Sequence, residues 1–189
     1  NSAIALGALA AGLNLAAGYP GTPSSEIMET LERYPHGEVH LEWSVNEKAA
    51  LEVAASAAYA GARTMVTMKQ VGLNVASDPL MSLAYVGVKG GMVVVVADDP
   101  GPISSQTEQD TRMFAQFCRI PVFDPSSPEE AYQMIQDAFV CSEQYGTPVL
   151  FRPTTRICHA YASVEVEEHP VPKQYDGFEK DSSRWVIFP

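Results

Sequence analysis

The sequence predicts an α/β domain wound around a parallel sheet. Three observations predict it. Helix-like stretches alternate with short β-branched runs along most of the chain, the pattern of successive β–α units. The segment from Met92 to Ala97 carries four consecutive valines and no polar residue, as expected of a central parallel strand buried on both faces. Six strands can be placed, with enough helices between them to cover both faces. The length of 189 residues suits one large domain, or one domain with a tail.

The elements follow in order. Residues 2–13 are small and apolar, a buried helix. Residues 15–17 form a short strand that runs into the turn-rich segment 18–23. Residues 24–34 are amphipathic, with Ile27, Met28 and Leu31 on one face of a helix. Residues 39–45 alternate as a strand, and 46–61 form an Ala-rich helix. A strand over 63–68 precedes a helix over 74–86 that Pro79 breaks or kinks. The valine strand spans 91–97. A helix over 107–118, a two-residue strand at Val122 and Phe123, and a long helix over 128–145 ended by Gly146 come next. Residues 149–152 make the last strand. After about Ala160 the chain becomes acidic, polar and punctuated by Pro and Gly, so 1–160 is expected to be the domain and 161–189 a linker. Both ends read as cut: no Met opens the chain, and its last residues are apolar with nothing after them. The chain is expected to be a piece of a larger protein.

Charge narrows the function. With 12 Lys and Arg against 23 Asp and Glu the net charge is −11, which argues against a nucleic-acid-binding role. The longest apolar run is far too short to span a bilayer, and no basic residue precedes the apolar start, so neither a membrane role nor secretion is expected. Three cysteines without metal-ligand spacing fit a reducing, cytoplasmic setting. Cys158 and His159 lack a second pair to complete a metal site, and no metal ligands are assigned.

In open parallel sheets ligands gather outside the carboxyl ends of the strands. The loops at 18–23, 44–47, 69–74, 98–109 and 153–159 are therefore the candidates. In the first, Thr22 can cap the following helix and Pro23 suits its first position, while free N–H groups there favour an anion. A well-capped helix explains the same residues equally well. Ser44 and Glu47 match a capping box, the commoner explanation from spacing alone; the functional alternative is a carboxylate at the top of a strand, placed for proton transfer. Glu52 faces another side and reads as a surface charge. In residues 69–74, Gly72 permits close approach of a ligand to the backbone, a weak signal by itself. Thr107 and Asp110 suggest a further cap, and Ser127 with Glu130 a purely structural one.

Longer strings decide more. Residues 18–27, Asn46 to Ala50, Tyr59 to Arg63, Thr67 to Leu80, Ala97 to Pro102, Ser105 to Arg112 and Arg152 to Arg156 occur in order across essentially the whole chain. They closely resemble the N-terminal part of indolepyruvate ferredoxin oxidoreductase large (alpha) subunits, within the thiamine-diphosphate-dependent 2-oxoacid:ferredoxin oxidoreductases. The resemblance implies the thiamine-diphosphate-binding fold, a six-stranded parallel sheet with helices on both faces. It implies that the segment is the pyrimidine-binding domain of an enzyme that oxidatively decarboxylates indolepyruvate or another arylpyruvate to acyl-coenzyme A and reduces ferredoxin, a chemistry of anaerobic metabolism. The alternatives are a sister enzyme for 2-oxoglutarate, a branched-chain 2-oxoacid or phenylglyoxylate, or a non-catalytic subunit-docking domain.

The resemblance also assigns residues. Glu47 is expected to hydrogen-bond the pyrimidine ring of the cofactor, with the spacing from Glu47 to Gly61 in register with the family and Glu52 out of register. Val71 and Gly72 are expected to lie against that ring, and Thr22 to contact substrate. Thiamine diphosphate with Mg2+ would be shared with a diphosphate-binding domain of the same subunit, whose Gly-Asp-Gly loop is not in this sequence. Iron–sulfur clusters would lie outside the chain, since three scattered cysteines cannot hold them. A small beta subunit, ferredoxin, the 2-oxoacid and coenzyme A are the implied partners, and the chain alone is expected to be inactive. One departure stands out: where pyruvate enzymes place an arginine for the substrate carboxylate, this chain has Asp98 and Asp99.

Overall fold

The structure, a computed structural model, describes residues 1–34, 39–168 and 170–186. Its elements are α1 (Ser2–Ala10), β1 (Leu15–Gly18), α2 (Ser25–Arg33), β2 (His40–Trp43), α3 (Glu47–Tyr59), β3 (Thr64–Lys69), α4 (Gln70–Val86), β4 (Met92–Ala97), α5 (Thr111–Cys118), β5 (Val122–Phe123), α6 (Pro128–Tyr145), β6 (Val149–Phe151) and α7 (Thr155–Cys158). The six strands form one parallel sheet in the order β2-β1-β3-β4-β6-β5. The expected fold class is the observed one.

Alternation along the strands sorts the core into two layers. Ala16, Met65, Val93, Val95 and Phe151 point to the face covered by α1, α2 and α6, where Ile4, Ile27, Ile135 and Phe139 pack. Ala17, Val66, Met68, Val94, Val96 and Leu150 point to the other, against Leu51, Ala54, Leu73, Leu80 and Ala115 of α3, α4 and α5. Every residue of β4 is buried, as its valine run requires. α3 is rich in alanine on its buried side, which lets it lie close to the sheet.

Several boundaries differ from expectation, each for a local reason. α4 begins at Gln70, directly after β3, rather than at residue 74, and runs unbroken through Pro79. The hydrogen bond that Pro79 cannot make would go to the carbonyl of Val75, an exposed residue, so water can replace the missing donor. α5 begins at Thr111 rather than residue 107, because Asp98 and Asp110 hold the backbone N–H groups of Thr111 and Arg112. α7 forms where a loop was expected. α6 starts as its sequence predicts: the Ser127 hydroxyl accepts from Glu130 N–H, and Glu130 accepts from Ser126.

Residues 170–186 contain neither helix nor strand, yet they lie against the domain. Lys173 N–H donates to the Gly12 carbonyl and the Asn14 amide donates to the Lys173 carbonyl. The Arg184 guanidinium donates to the Val88 carbonyl, and the Trp185 ring meets Tyr59 edge-on with centroids 4.9 Å apart. These contacts lie at the amino-terminal end of the sheet. Residues 187–189 of the apolar end, and His169 in the Pro-rich segment, fall outside the described residues.

Candidate active site at the carboxyl edge

The strand order creates the site. From β1 the chain passes to β2 on one side, then crosses back over β1 to β3 on the other. The loops after β1 and β3 therefore diverge and leave a crevice, the place where open parallel sheets bind ligands. Three of the candidate segments converge there: residues 18–23 after β1, 44–47 after β2 and 69–72 after β3.

Glu47 is the first residue of α3 and is only 9% exposed. The expected capping box with Ser44 does not form. The cap is Asn46, whose side-chain oxygen accepts from Ala49 N–H at 2.8 Å, while the Ser44 hydroxyl donates to Glu42. Relieved of capping, the Glu47 carboxyl turns toward the first turn of α4. It packs so closely on Gly72 that a Cβ there would stand 2.6 Å from Oε1 and 2.7 Å from Cγ. Only glycine at residue 72 permits that approach. Among the described residues the Glu47 carboxylate has no hydrogen-bond donor and no ion pair, which is unusual for so buried an acid.

The structure thus brings Glu47 and Gly72 into contact. Val71, half-buried, is beside Gly72 on the same turn. Thr22 lies across the crevice in the loop after β1, and it is exposed. The expected cap by Thr22 is corrected. The N-cap of α2 is Ser24, and a tight turn explains the shift: Ser24 N–H and hydroxyl both donate to the Gly21 carbonyl, and Gly21 N–H donates to the Ser25 hydroxyl. That turn displaces the helix start by two residues and leaves the Thr22 hydroxyl unengaged by the helix. Gly21 in turn lies under the Lys69 side chain, whose Cγ and Cδ would be 3.3 Å from a Cβ placed at residue 21.

The β4–β6 half of the same edge is built differently. Asp98 is fully buried and accepts from Arg152 Nε at 2.7 Å and from the hydroxyl and N–H of Thr111. Arg152 also reaches Asp124, and Arg112 pairs with Asp110 and Asp124. Asp99 is equally buried and accepts from the N–H groups of Ile103, Ser104 and Ser105 and from the Thr155 hydroxyl. Burial alone would raise its pKa; these four donors outweigh that and hold the carboxyl far below the usual range. The loop after β4 is fastened to α4 as well, through Gln70 Nε2 to the Thr107 carbonyl and a reciprocal amide pair between Asn74 and Gln109. Sequence reasoning singled out Asp98 and Asp99 but missed Arg152, Thr111 and Thr155 as their partners. The usable signal was the adjacency of β4 and β6, which places residues 98 and 152–155 side by side.

No group of three or more His, Cys, Asp or Glu side chains suited to a metal exists among the described residues. Cys158, the last residue of α7, is buried, and desolvation pushes its thiol up to about 12, so it is an inert packing residue. Glu52 is exposed, as expected of a surface charge. Among the described residues no helix is long and apolar enough to cross a membrane.

Comparison with known proteins gives the family. Residues 6–184 match the family model described as pyruvate flavodoxin/ferredoxin oxidoreductase, thiamine diphosphate-binding. The chain is 48% identical over 195 residues to the indolepyruvate oxidoreductase subunit IorA of Pyrococcus abyssi, with all of this chain aligned to 30% of that protein. It is 50% identical over 175 residues to the IorA of Archaeoglobus fulgidus, covering 90% of this chain and 28% of that one. The ketoisovalerate oxidoreductase subunit VorB of Methanothermobacter thermautotrophicus is 30% identical over 157 residues, 79% of this chain and 45% of that one. Among solved structures, a 2-oxoglutarate:ferredoxin oxidoreductase from Magnetococcus marinus superposes with a TM-score of 0.74 over 83% of this chain and 29% of that one, at 22% identity. The chain spans about 30% of the length of the IorA relatives it matches.

Proposed function

The chain belongs to the thiamine-diphosphate-binding family of pyruvate flavodoxin/ferredoxin oxidoreductases, and on that footing we propose that it is the pyrimidine-facing part of an indolepyruvate-type 2-oxoacid:ferredoxin oxidoreductase. The observation that carries the reading is the Glu47 carboxyl: buried, unpaired, and seated on a glycine at the switch-point crevice. The residue is buried but its carboxyl oxygens are not sealed among unpartnered atoms, so the acid stands open to a ligand in the crevice. A flat heteroaromatic ring that offers a nitrogen to the carboxyl and a face to Gly72 fits both features. Thiamine diphosphate, when bound, supplies the carbon that makes a 2-oxoacid lose carbon dioxide.

The geometry supports the following roles for this chain. Glu47 holds a hydrogen bond from its carboxyl to a pyrimidine ring nitrogen and so sets the protonation of the ring. Val71 and Gly72 form the surface on which the ring rests. Thr22, across the crevice, offers a hydroxyl to the substrate. The diphosphate and its Mg2+ belong to another domain of the same subunit. Iron–sulfur clusters, a small beta subunit, ferredoxin and coenzyme A complete the cytoplasmic enzyme outside this chain. Residues 1–160 are the pyrimidine-binding domain and 161–189 the connection to the rest. Identity near 50% to indolepyruvate enzymes, against 30% to a ketoisovalerate enzyme, supports an arylpyruvate as the substrate.

The test uses the assembled enzyme. Glu47→Gln should retain assembly and melting temperature but lose decarboxylation of indolepyruvate by ~100- to 10,000-fold, the usual worth of a positioned acid–base group. Turnover equal to wild type would contradict the assignment.

A further inference from the structure

We propose that Lys69 is the cation that receives the carboxylate of the 2-oxoacid, an inference that rests on the reading above. Any 2-oxoacid carries a carboxylate beside its keto group, and holding it in a site screened from water calls for a positive partner. The cations at the carboxyl edge are few, and most are spent. Arg152 is buried between Asp98 and Asp124. Arg112 is paired with Asp110 and Asp124. Lys48 points away from the crevice to Asp78 at 2.9 Å. Arg156 is exposed on α7, beyond β4 and β6 from the crevice.

Lys69 alone combines position with availability. It is the last residue of β3, three residues before Gly72, and is half-buried. Its methylenes lie across Gly21, the residue before Thr22, so that a larger side chain at residue 21 would meet them. The side chain is thereby directed over the loop after β1, whereas the Glu47 carboxyl packs on α4. Among the described residues its ammonium takes part in no ion pair and no side-chain hydrogen bond. Its cross-strand neighbour is Ala97, and the two acids that follow Ala97 are committed to Arg152 and Thr111 and to the loop N–H groups. The crevice thus holds one unpaired acid and one unpaired cation, on separate elements. The acid packs on Gly72, and the methylenes that carry the cation lie over Gly21, the neighbour of Thr22 in sequence. A cofactor ring nitrogen answers the acid, and the carboxylate of a 2-oxoacid held beside that cofactor answers the cation.

The experiment compares indolepyruvate with its methyl ester in the assembled holoenzyme. Lys69→Met should raise KM for the acid by ~10- to 100-fold, the range for losing a charged hydrogen-bond partner, with kcat changed only a few-fold. The preference for acid over ester should collapse, and Lys69→Arg should restore most of it. As a readout independent of any variant's folding, acetylation of Lys69 in the wild-type holoenzyme, followed by mass spectrometry, should be slowed by indole-3-propionate but not by its neutral amide. Unchanged KM and acid–ester preference in Lys69→Met, or equal acetylation with and without indole-3-propionate, overturns this inference alone, provided the wild type turns over indolepyruvate. A wild-type holoenzyme that decarboxylates no 2-oxoacid overturns the functional reading and this inference together.

Discussion

Two halves of one sheet edge treat their charges in opposite ways. On the β4–β6 half, Asp98, Asp99, Arg152 and Thr155 satisfy one another so fully that two buried carboxylates cost the fold little. On the adjoining β2–β1–β3 half, Glu47 and Lys69 have no partner among the described residues. Both halves use the same device, a polar residue at a strand exit. The first half uses those residues to hold a loop, and the second leaves them without a protein partner. On the proposed function, stability and catalysis are separated along the edge, and substitutions on the two halves should behave differently.

The largest effect on stability is expected on the satisfied half. Asp98→Ala leaves the Arg152 guanidinium buried with only the partly exposed Asp124, and should destabilise the domain by about 3–5 kcal/mol in denaturant unfolding. A loss under about 1 kcal/mol would mean that the two halves do not differ. Gly72→Ala comes next. Its Cβ would collide with the Glu47 carboxyl, so about 1–3 kcal/mol of strain or displacement is expected, together with loss of cofactor retention by the assembled enzyme. Normal retention would show that the Glu47–Gly72 contact is not the ring seat.

At the opposite end of the sheet a third set of charges gives a pH-dependent effect. Glu143 is held by Arg63 at 2.8 Å and by Lys173 of the C-terminal segment at 2.6 Å. Burial would raise its pKa, but these cations outweigh burial and hold it down at about 2. A carboxyl with a lowered folded pKa contributes stability above its ordinary value near 4.5, and that contribution is lost as the pH falls toward 2. Because Lys173 is part of the pairing, acidification through that window should loosen residues 170–186 and relieve the contact of Trp185 with Tyr59. Tryptophan fluorescence against pH should report it, and Glu143→Gln should remove the transition in that window. The smallest effect on stability is expected at the open half: Glu47→Gln removes no hydrogen bond within the domain and should change unfolding by less than about 1 kcal/mol.

How far the sequence could be read follows the same division. Strand seeds such as Met92–Ala97, and the loops that follow them, were legible because a parallel sheet marks its strands with apolar runs. Helix starts were less so. Ser44 and Glu47 match a capping box in spacing, yet the chain enters α3 at Asn46, and a local pattern cannot tell which of two polar residues two positions apart has the extended backbone a cap needs. Thr22 was displaced as a cap by the turn at Gly21. The start of α4 at Gln70 carries no sequence signal, since the helix follows β3 with no side-chain cap. The Asp98–Arg152 pair joins residues 54 positions apart and becomes visible only once β4 and β6 are known to be neighbours. Glu47 was singled out as a carboxylate at a strand exit, and the structure buries it there against Gly72, a glycine that the sequence motifs also mark.

The central claim is that the Glu47 carboxyl governs the protonation of a thiamine ring seated on Gly72. Its most direct test is the rate of deuterium exchange at the thiazolium carbon of the cofactor bound to the assembled enzyme, measured by NMR after acid quench. The exchange should fall by ~100-fold or more in Glu47→Gln while the melting temperature and bound cofactor stay at wild-type levels. Equal exchange rates in the two proteins, with the cofactor fully bound, would contradict it.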